Sequence, residues 1–64
     1  MILREAIDIY KDLVDTIIIQ SCTIDIEMCI PSEDAEFMNE DFLELDVLKV
    51  SKLPSADYCT IYLD

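Results

Sequence analysis

Carboxylates are the residues of this chain with the greatest capacity for chemistry, and they are concentrated in one stretch. From Glu33 to Asp46 the chain holds seven acidic residues and no lysine or arginine. Closely spaced carboxylates can act as a general acid and base, coordinate a divalent cation, or present a negative surface to a cationic partner. Phe37, Phe42 and Leu43 lie between the acids, which predicts that the stretch is folded.

The remaining residues do not favour catalysis. Acid–base chemistry by paired carboxylates needs a cleft that desolvates one of them, and 64 residues leave little volume for a cleft. The chain has no histidine and only four basic residues with which to activate a nucleophile or stabilise an oxyanion. Glycine is absent as well, which excludes the phosphate-binding loops of nucleotide enzymes. We therefore expect no enzymatic activity, no catalytic residue and no cofactor.

A metal site has no recognisable motif. Zinc would need a fourth ligand beside Cys22, Cys29 and Cys59, and the chain has no histidine to supply it. The acidic stretch lacks the alternating oxygen ligands and the turn glycine of an EF-hand loop. No metal ligand is assigned, although a weak cation site among the carboxylates stays open.

The charge balance limits the class of partner. Fifteen acidic residues against four basic ones give a net charge of −11. This charge opposes direct contact with nucleic acid or with anionic membranes and favours a basic protein partner. An apolar fraction of 53% predicts one packed domain spanning residues 1–64 and argues against disorder. The simpler alternative is that the acids only keep a small apolar domain in solution.

Compartment is predicted from the same composition. The first residues carry Glu5 and Asp8 where a secretory signal would be apolar, and the longest uncharged run, Thr16–Ile24, is far too short to span a membrane. Three cysteines are an odd number for a disulfide framework. We expect a cytoplasmic protein, in a host cell if it is viral, whose thiols are reduced and mostly buried.

Hydrophobic periodicity predicts the first two elements. Apolar residues recur at three- and four-residue steps over residues 2–19, which is typical of an amphipathic helix. Alternation over Thr23–Ile30 predicts a half-buried strand that ends at Pro31. Ser32 is then a candidate N-cap for a short acidic helix through Met38.

The second half is predicted to contain two more strands. Phe42–Val50 has a strand-like alternation whose phase slips near its end, with one continuous helix over residues 33–48 as the alternative. Tyr58–Leu63 alternates clearly. The predicted fold is α+β: an N-terminal amphipathic helix packed on a three-stranded antiparallel sheet, with a short acidic helix between strands one and two.

The exposed face of that sheet is the candidate site. Alternate residues of a strand lie roughly 6.5–7 Å apart, so two short rows of carboxylates would have a spacing comparable to successive phosphates. Exposed tyrosines beside them would supply aromatic anchors for a partner. The predicted partner-binding residues are Asp25, Glu27, Glu33, Asp34, Glu36, Glu40, Asp41, Glu44, Asp46, Tyr58 and Tyr62.

In size, charge and lack of catalytic residues the chain resembles small acidic inhibitors that phages use against host DNA-binding enzymes. These include anti-restriction proteins, uracil-DNA glycosylase inhibitors and anti-CRISPR proteins. The resemblance implies a DNA mimic that evades host defence by occupying a basic nucleic-acid-binding surface, as a monomer or small homo-oligomer. The alternative is an antitoxin-like or regulatory subunit that binds a protein partner mainly through an apolar interface.

Overall fold

The chain folds into a four-stranded mixed sheet with short helices packed on one side. The computed structural model describes residues 1–21 and 23–64. In chain order the elements are α1 (Leu3–Tyr10), β1 (Thr16–Ser21), β2 (Ile26–Pro31), a 3₁₀ helix (Ser32–Phe37), α2 (Glu40–Leu43), β3 (Val47–Ser51) and β4 (Tyr58–Leu63).

The sheet consists of two antiparallel hairpins joined by a parallel pairing of their inner strands. The strand order is β2-β1-β4-β3, with β1 antiparallel to β2, β3 antiparallel to β4, and β1 parallel to β4. The α+β class and the single sheet are therefore confirmed. The prediction of three antiparallel strands is wrong, because the parallel pairing needs a fourth strand that periodicity assigned to the first helix.

That fourth strand is β1. The helix predicted over residues 2–19 ends at Tyr10, and Thr16–Ser21 is a strand. Ile17 and Ile19 are buried on the helical side while Ile18 points to the opposite side. Consecutive β-branched residues suit a strand, since their stiff side chains favour extended backbone.

The segment after β2 also differs from prediction. The predicted strand over Thr23–Ile30 is shifted to Ile26–Pro31, and the predicted strand over Phe42–Val50 is replaced by α2 followed by β3. The acidic 3₁₀ helix lies between β2 and β3. A continuous helix over residues 33–48 is excluded because Met38 is extended, at φ −70° and ψ 163°.

Asn39 is the N-cap of α2. Its side-chain oxygen accepts a hydrogen bond from the Asp41 amide at 2.8 Å, which satisfies one of the free donors at the start of α2. The strand predicted over Tyr58–Leu63 is confirmed at both ends as β4.

The core lies between the sheet and α1. Its largest fully buried side chains come from α1, β1 and β4: Leu3, Ile7, Ile17, Ile19, Ile61 and Cys59. Cys29 is exposed, so the expectation of mostly buried thiols holds for one of the two described cysteines, and Cys22 lies outside the described residues. No helix in residues 1–21 or 23–64 is both long and apolar enough to cross a membrane.

Candidate functional site

Most carboxylates lie on the helical side of the molecule. The 3₁₀ helix and α2 both contact α1, so the exposed sides of these three elements adjoin. We define the acidic face by the exposed carboxylates that these helices carry or that directly follow them: Glu5, Asp8, Asp12, Glu33, Asp34, Glu36, Glu40, Asp41 and Glu44. Two basic residues, Arg4 and Lys11, lie among them.

A shallow groove of about 540 Å³ runs between the end of α1 and the 3₁₀ helix. Asp12, Asp15, Glu33 and Glu36 contribute carboxylates to its lining, and Lys11 contributes the one cation. Four carboxylates around one ammonium group leave the groove strongly negative. Its chemistry suits a cationic group from outside, such as a guanidinium or an ammonium.

Lys11 is held by its acidic neighbours. Its Nζ lies 3.4 Å from Glu36 Oε2 and 3.5 Å from Asp8 Oδ1. The hydrogen bond and the charge of Glu36, followed by the charge of Asp8, raise the pKa of Lys11 above its ordinary value. Exposed pairs at these distances stabilise the fold little, so Asp8 and Glu36 remain accessible to a stronger cationic partner.

Ser32 positions the 3₁₀ helix against the end of α1. Its hydroxyl donates to the Val14 carbonyl at 2.7 Å in a buried contact, and its amide donates to the Asp15 carbonyl at 2.9 Å. The predicted N-cap role is replaced by a tertiary one, because Ser32 is the first residue of the 3₁₀ helix, Pro31 occupies the cap position, and the helix has no side-chain cap hydrogen bond. The two bonds bring Glu33 and Glu36 close to Asp12.

The two predicted rows of strand carboxylates are not formed. Asp25 lies in the turn before β2 and Glu27 points outward from β2. Glu44 is the C-cap of α2, and Asp46 precedes β3. The rows fail because β3 begins only at Val47, one residue after the last acid of the stretch.

Tyr58 and Tyr62 lie on the side of the sheet opposite the helices. They alternate along β4 with the buried residues Cys59, Ile61 and Leu63. Of the strand carboxylates predicted beside these tyrosines, Glu27 lies in the same row of the sheet as Tyr62, whereas Glu44 is at the end of α2. Of the eleven predicted site residues, the structure brings together six on the acidic face: Glu33, Asp34, Glu36, Glu40, Asp41 and Glu44.

Sequence reasoning missed two contributions to this face. The acids Glu5, Asp8 and Asp12 recur at three- and four-residue steps, so the polar side of the amphipathic pattern already carried the signal. Phe37, expected to pack, is 80% exposed beside the acids of the 3₁₀ helix. No local sequence pattern predicted this exposure, because it depends on the extended backbone conformation at Met38.

Other chemistry in the described residues is limited. Within residues 1–21 and 23–64, no three Cys, Asp or Glu side chains are placed to hold a metal ion. Burial raises the pKa of the Cys59 thiol, which disfavours the reactive thiolate.

Comparisons of the chain with protein-family models, curated proteins and solved structures found no match.

Proposed function

We propose that this protein is a non-enzymatic cytoplasmic inhibitor that binds a basic, nucleic-acid-binding surface of a host protein through its acidic face. The observation that supports the proposal most strongly is the asymmetric placement of charge. Nine of the 15 acidic residues belong to the acidic face, seven on the three helices and two directly after them. This arrangement presents a concentrated negative surface. A basic groove binds a similar surface when it contacts the phosphates of nucleic acid.

The energetic argument concerns repulsion. Like charges crowded on one side of a small domain oppose folding, and one lysine in the groove offsets only part of that repulsion. A partner lined with lysine and arginine would relieve it on binding. The same partner would lose access to the phosphates that normally neutralise it, so binding would exclude nucleic acid.

Phe37 is the aromatic anchor that fits this proposal. It is 80% exposed at the end of the acidic 3₁₀ helix, whereas Tyr58 and Tyr62 lie on the other side of the sheet. Aromatic side chains are enriched among residues that dominate binding energy. Grooves that bind single-stranded nucleic acid commonly contain aromatic side chains on which the bases stack. The ring of Phe37 would stack on such a side chain in place of a base.

The test uses the immobilised protein and a bacterial lysate. We expect it to retain nucleic-acid-binding proteins at about 0.05 M salt and to release them at about 0.5 M, since screening weakens contacts between exposed charges. A DNA oligonucleotide should elute the same proteins, because it would compete for their basic groove. Mass spectrometry identifies the retained species, and binding to each purified species is then measured.

Two variants of equal charge change identify the surface. Asp34→Asn with Glu40→Gln removes two charges from the acidic face, and Asp25→Asn with Asp64→Asn removes two elsewhere. We expect the first to weaken binding about five- to thirtyfold and the second to change it little. Binding that is indifferent to salt, or equally affected by both variants, would contradict the proposal.

A second candidate is an antitoxin-like or regulatory subunit with a mainly apolar interface. It is supported by the side of the sheet opposite the helices, where Ile18, Tyr58 and Tyr62 are not covered by any described element. In that case the acids would serve mainly to keep the chain in solution. Loss of partner binding on Ile18→Lys, with no effect of Asp34→Asn and Glu40→Gln, would favour this candidate.

A further inference from the structure

The sheet has one side that no described element covers. We call it the open face, and its side chains are the outward residues of the four strands: Thr16, Ile18, Gln20, Glu27, Cys29, Pro31, Lys49, Ser51, Tyr58, Thr60 and Tyr62. The molecule has 19 charged side chains in total, 15 acidic and four basic. Among the strand residues that form the open face, only Glu27 and Lys49 are charged.

Those two charges lie in one row across the sheet. Gln20 is paired with Glu27 on β2 and with Tyr62 on β4, and Tyr62 is paired with Lys49 on β3. The row therefore reads Glu27, Gln20, Tyr62, Lys49, with an acid on one edge strand and a base on the other. Three strand spacings separate the two charges, about 14 Å, which is too far for a direct contact within one molecule.

We propose that the open face binds a second copy of this chain and forms a symmetric dimer. A two-fold axis parallel to the strands, passing between β1 and β4, places β2 of one copy over β3 of the other. Glu27 of each copy then lies opposite Lys49 of its partner, so the dimer contains two Glu27–Lys49 pairs. Face-to-face sheets pack about 10 Å apart, a distance that these two long side chains span.

The same axis matches the uncharged residues. Gln20 of one copy lies opposite Tyr62 of the other, and Ile18 lies opposite Thr60, because β1 faces β4 throughout. Tyr58 is 46% exposed in the single chain and would be covered by the partner's β1. The acidic faces of the two copies point away from each other, so dimerisation through the open face keeps their carboxylates apart.

The size of the face sets the expected affinity. Four strands of about six residues cover roughly 20 Å by 20 Å, so a dimer would bury on the order of 800 Å² in total. This area is below that of standard stable interfaces and is typical of transient ones. We expect a dissociation constant of roughly 10–100 μM.

Sedimentation equilibrium at about 5–500 μM protein, in about 0.15 M salt with a reducing agent, measures the association. Glu27→Lys places lysines opposite one another and Lys49→Glu places glutamates opposite one another. Each should weaken the dimer about tenfold or more. The double variant Glu27→Lys with Lys49→Glu restores opposite charges and should recover most of the affinity.

Matched controls separate this effect from net charge. Glu40→Lys and Arg4→Glu change the net charge by the same amounts as the two single variants but lie on the helical side. Both should associate nearly as the unmodified chain does. Circular dichroism establishes that each variant folds, and Ile18→Lys gives a second way to disrupt the face should Lys49→Glu fail to fold.

Three results would overturn the proposal. The first is a chain that stays monomeric across the whole concentration range. The second is a dimer that the single variants leave unchanged, or that the double variant does not restore. The third is labelling of Cys29 that is independent of protein concentration in a Cys22→Ser background yet blocked in a bacterial lysate, which would indicate a different protein on this face.

Discussion

At the scale of single residues, Ser32 illustrates how one side chain can position a surface. A serine between Pro31 and Glu33 has the pattern of a helix N-cap, and its hydroxyl would then accept a hydrogen bond from its own helix. In the fold the hydroxyl donates instead to the Val14 carbonyl. This contact joins the start of the 3₁₀ helix to the segment between α1 and β1, and both residues line the acidic groove.

Replacing Ser32 by alanine should lower the free energy of unfolding by about 1–3 kcal/mol, because the buried Val14 carbonyl loses its donor. Urea denaturation followed by circular dichroism measures the change. Ser55→Ala, at an exposed turn position, is the matched control and should stay within about 0.5 kcal/mol. Equal effects of the two substitutions would show that the buried contact is not stabilising.

At the scale of elements, the turn before β2 has the one unusual backbone conformation among the described residues. Asp25 has a positive φ of 55°, a region where glycine is the usual residue and where Asp and Asn are tolerated. The chain contains no glycine, so an aspartate takes this position. Alternation predicted Asp25 as part of a strand, and the turn instead delays β2 until Ile26.

Asp25→Val should destabilise the hairpin, because a β-branched side chain at positive φ costs about 1–2 kcal/mol. Asp25→Asn removes the same charge and keeps the tolerance for this conformation, so it should stay within about 0.5 kcal/mol. Thermal and urea unfolding of both variants checks the difference. A valine variant as stable as the asparagine variant would contradict the role assigned to backbone conformation.

At the scale of the whole molecule, the two sides of the sheet differ in charge. The helical side carries nine exposed carboxylates and the open face carries one. The molecule measures 29 × 21 × 19 Å. At about 0.01 M salt the Debye length of about 30 Å exceeds these dimensions, and at about 0.15 M it falls to about 8 Å, so only neighbouring charges then interact.

We therefore expect the free energy of unfolding to rise by on the order of 1–2 kcal/mol between these two salt concentrations. Thermal unfolding at about 5 μM, below the expected dimer affinity, measures it. A variant carrying Glu33→Gln, Asp34→Asn, Glu40→Gln and Asp41→Asn should respond less, because it has less repulsion to screen. A stability that falls with added salt would show that attractive ion pairs dominate.

The local sequence pattern was sufficient to predict an element where it fitted only one type of secondary structure. The strict alternation of Tyr58–Leu63 predicted β4 without error, and the mixture of helical periodicity and strand alternation predicted the α+β class. The three consecutive isoleucines of β1 fit both a helix stripe and a buried strand, so periodicity could not choose between them. The interleaved acids and apolar residues before Val47 were ambiguous in the same way.

The sequence alone established the excess of negative charge, its concentration in Glu33–Asp46 and the absence of histidine and glycine. The fold was needed to show which carboxylates lie together, that Phe37 is exposed at the end of the acidic 3₁₀ helix, and that Tyr58 and Tyr62 lie on the opposite side of the sheet. The physical reason is that alternation is a local property, whereas the pairing of β1 with β4 joins segments about forty residues apart. That pairing sets which side of every strand the helices cover.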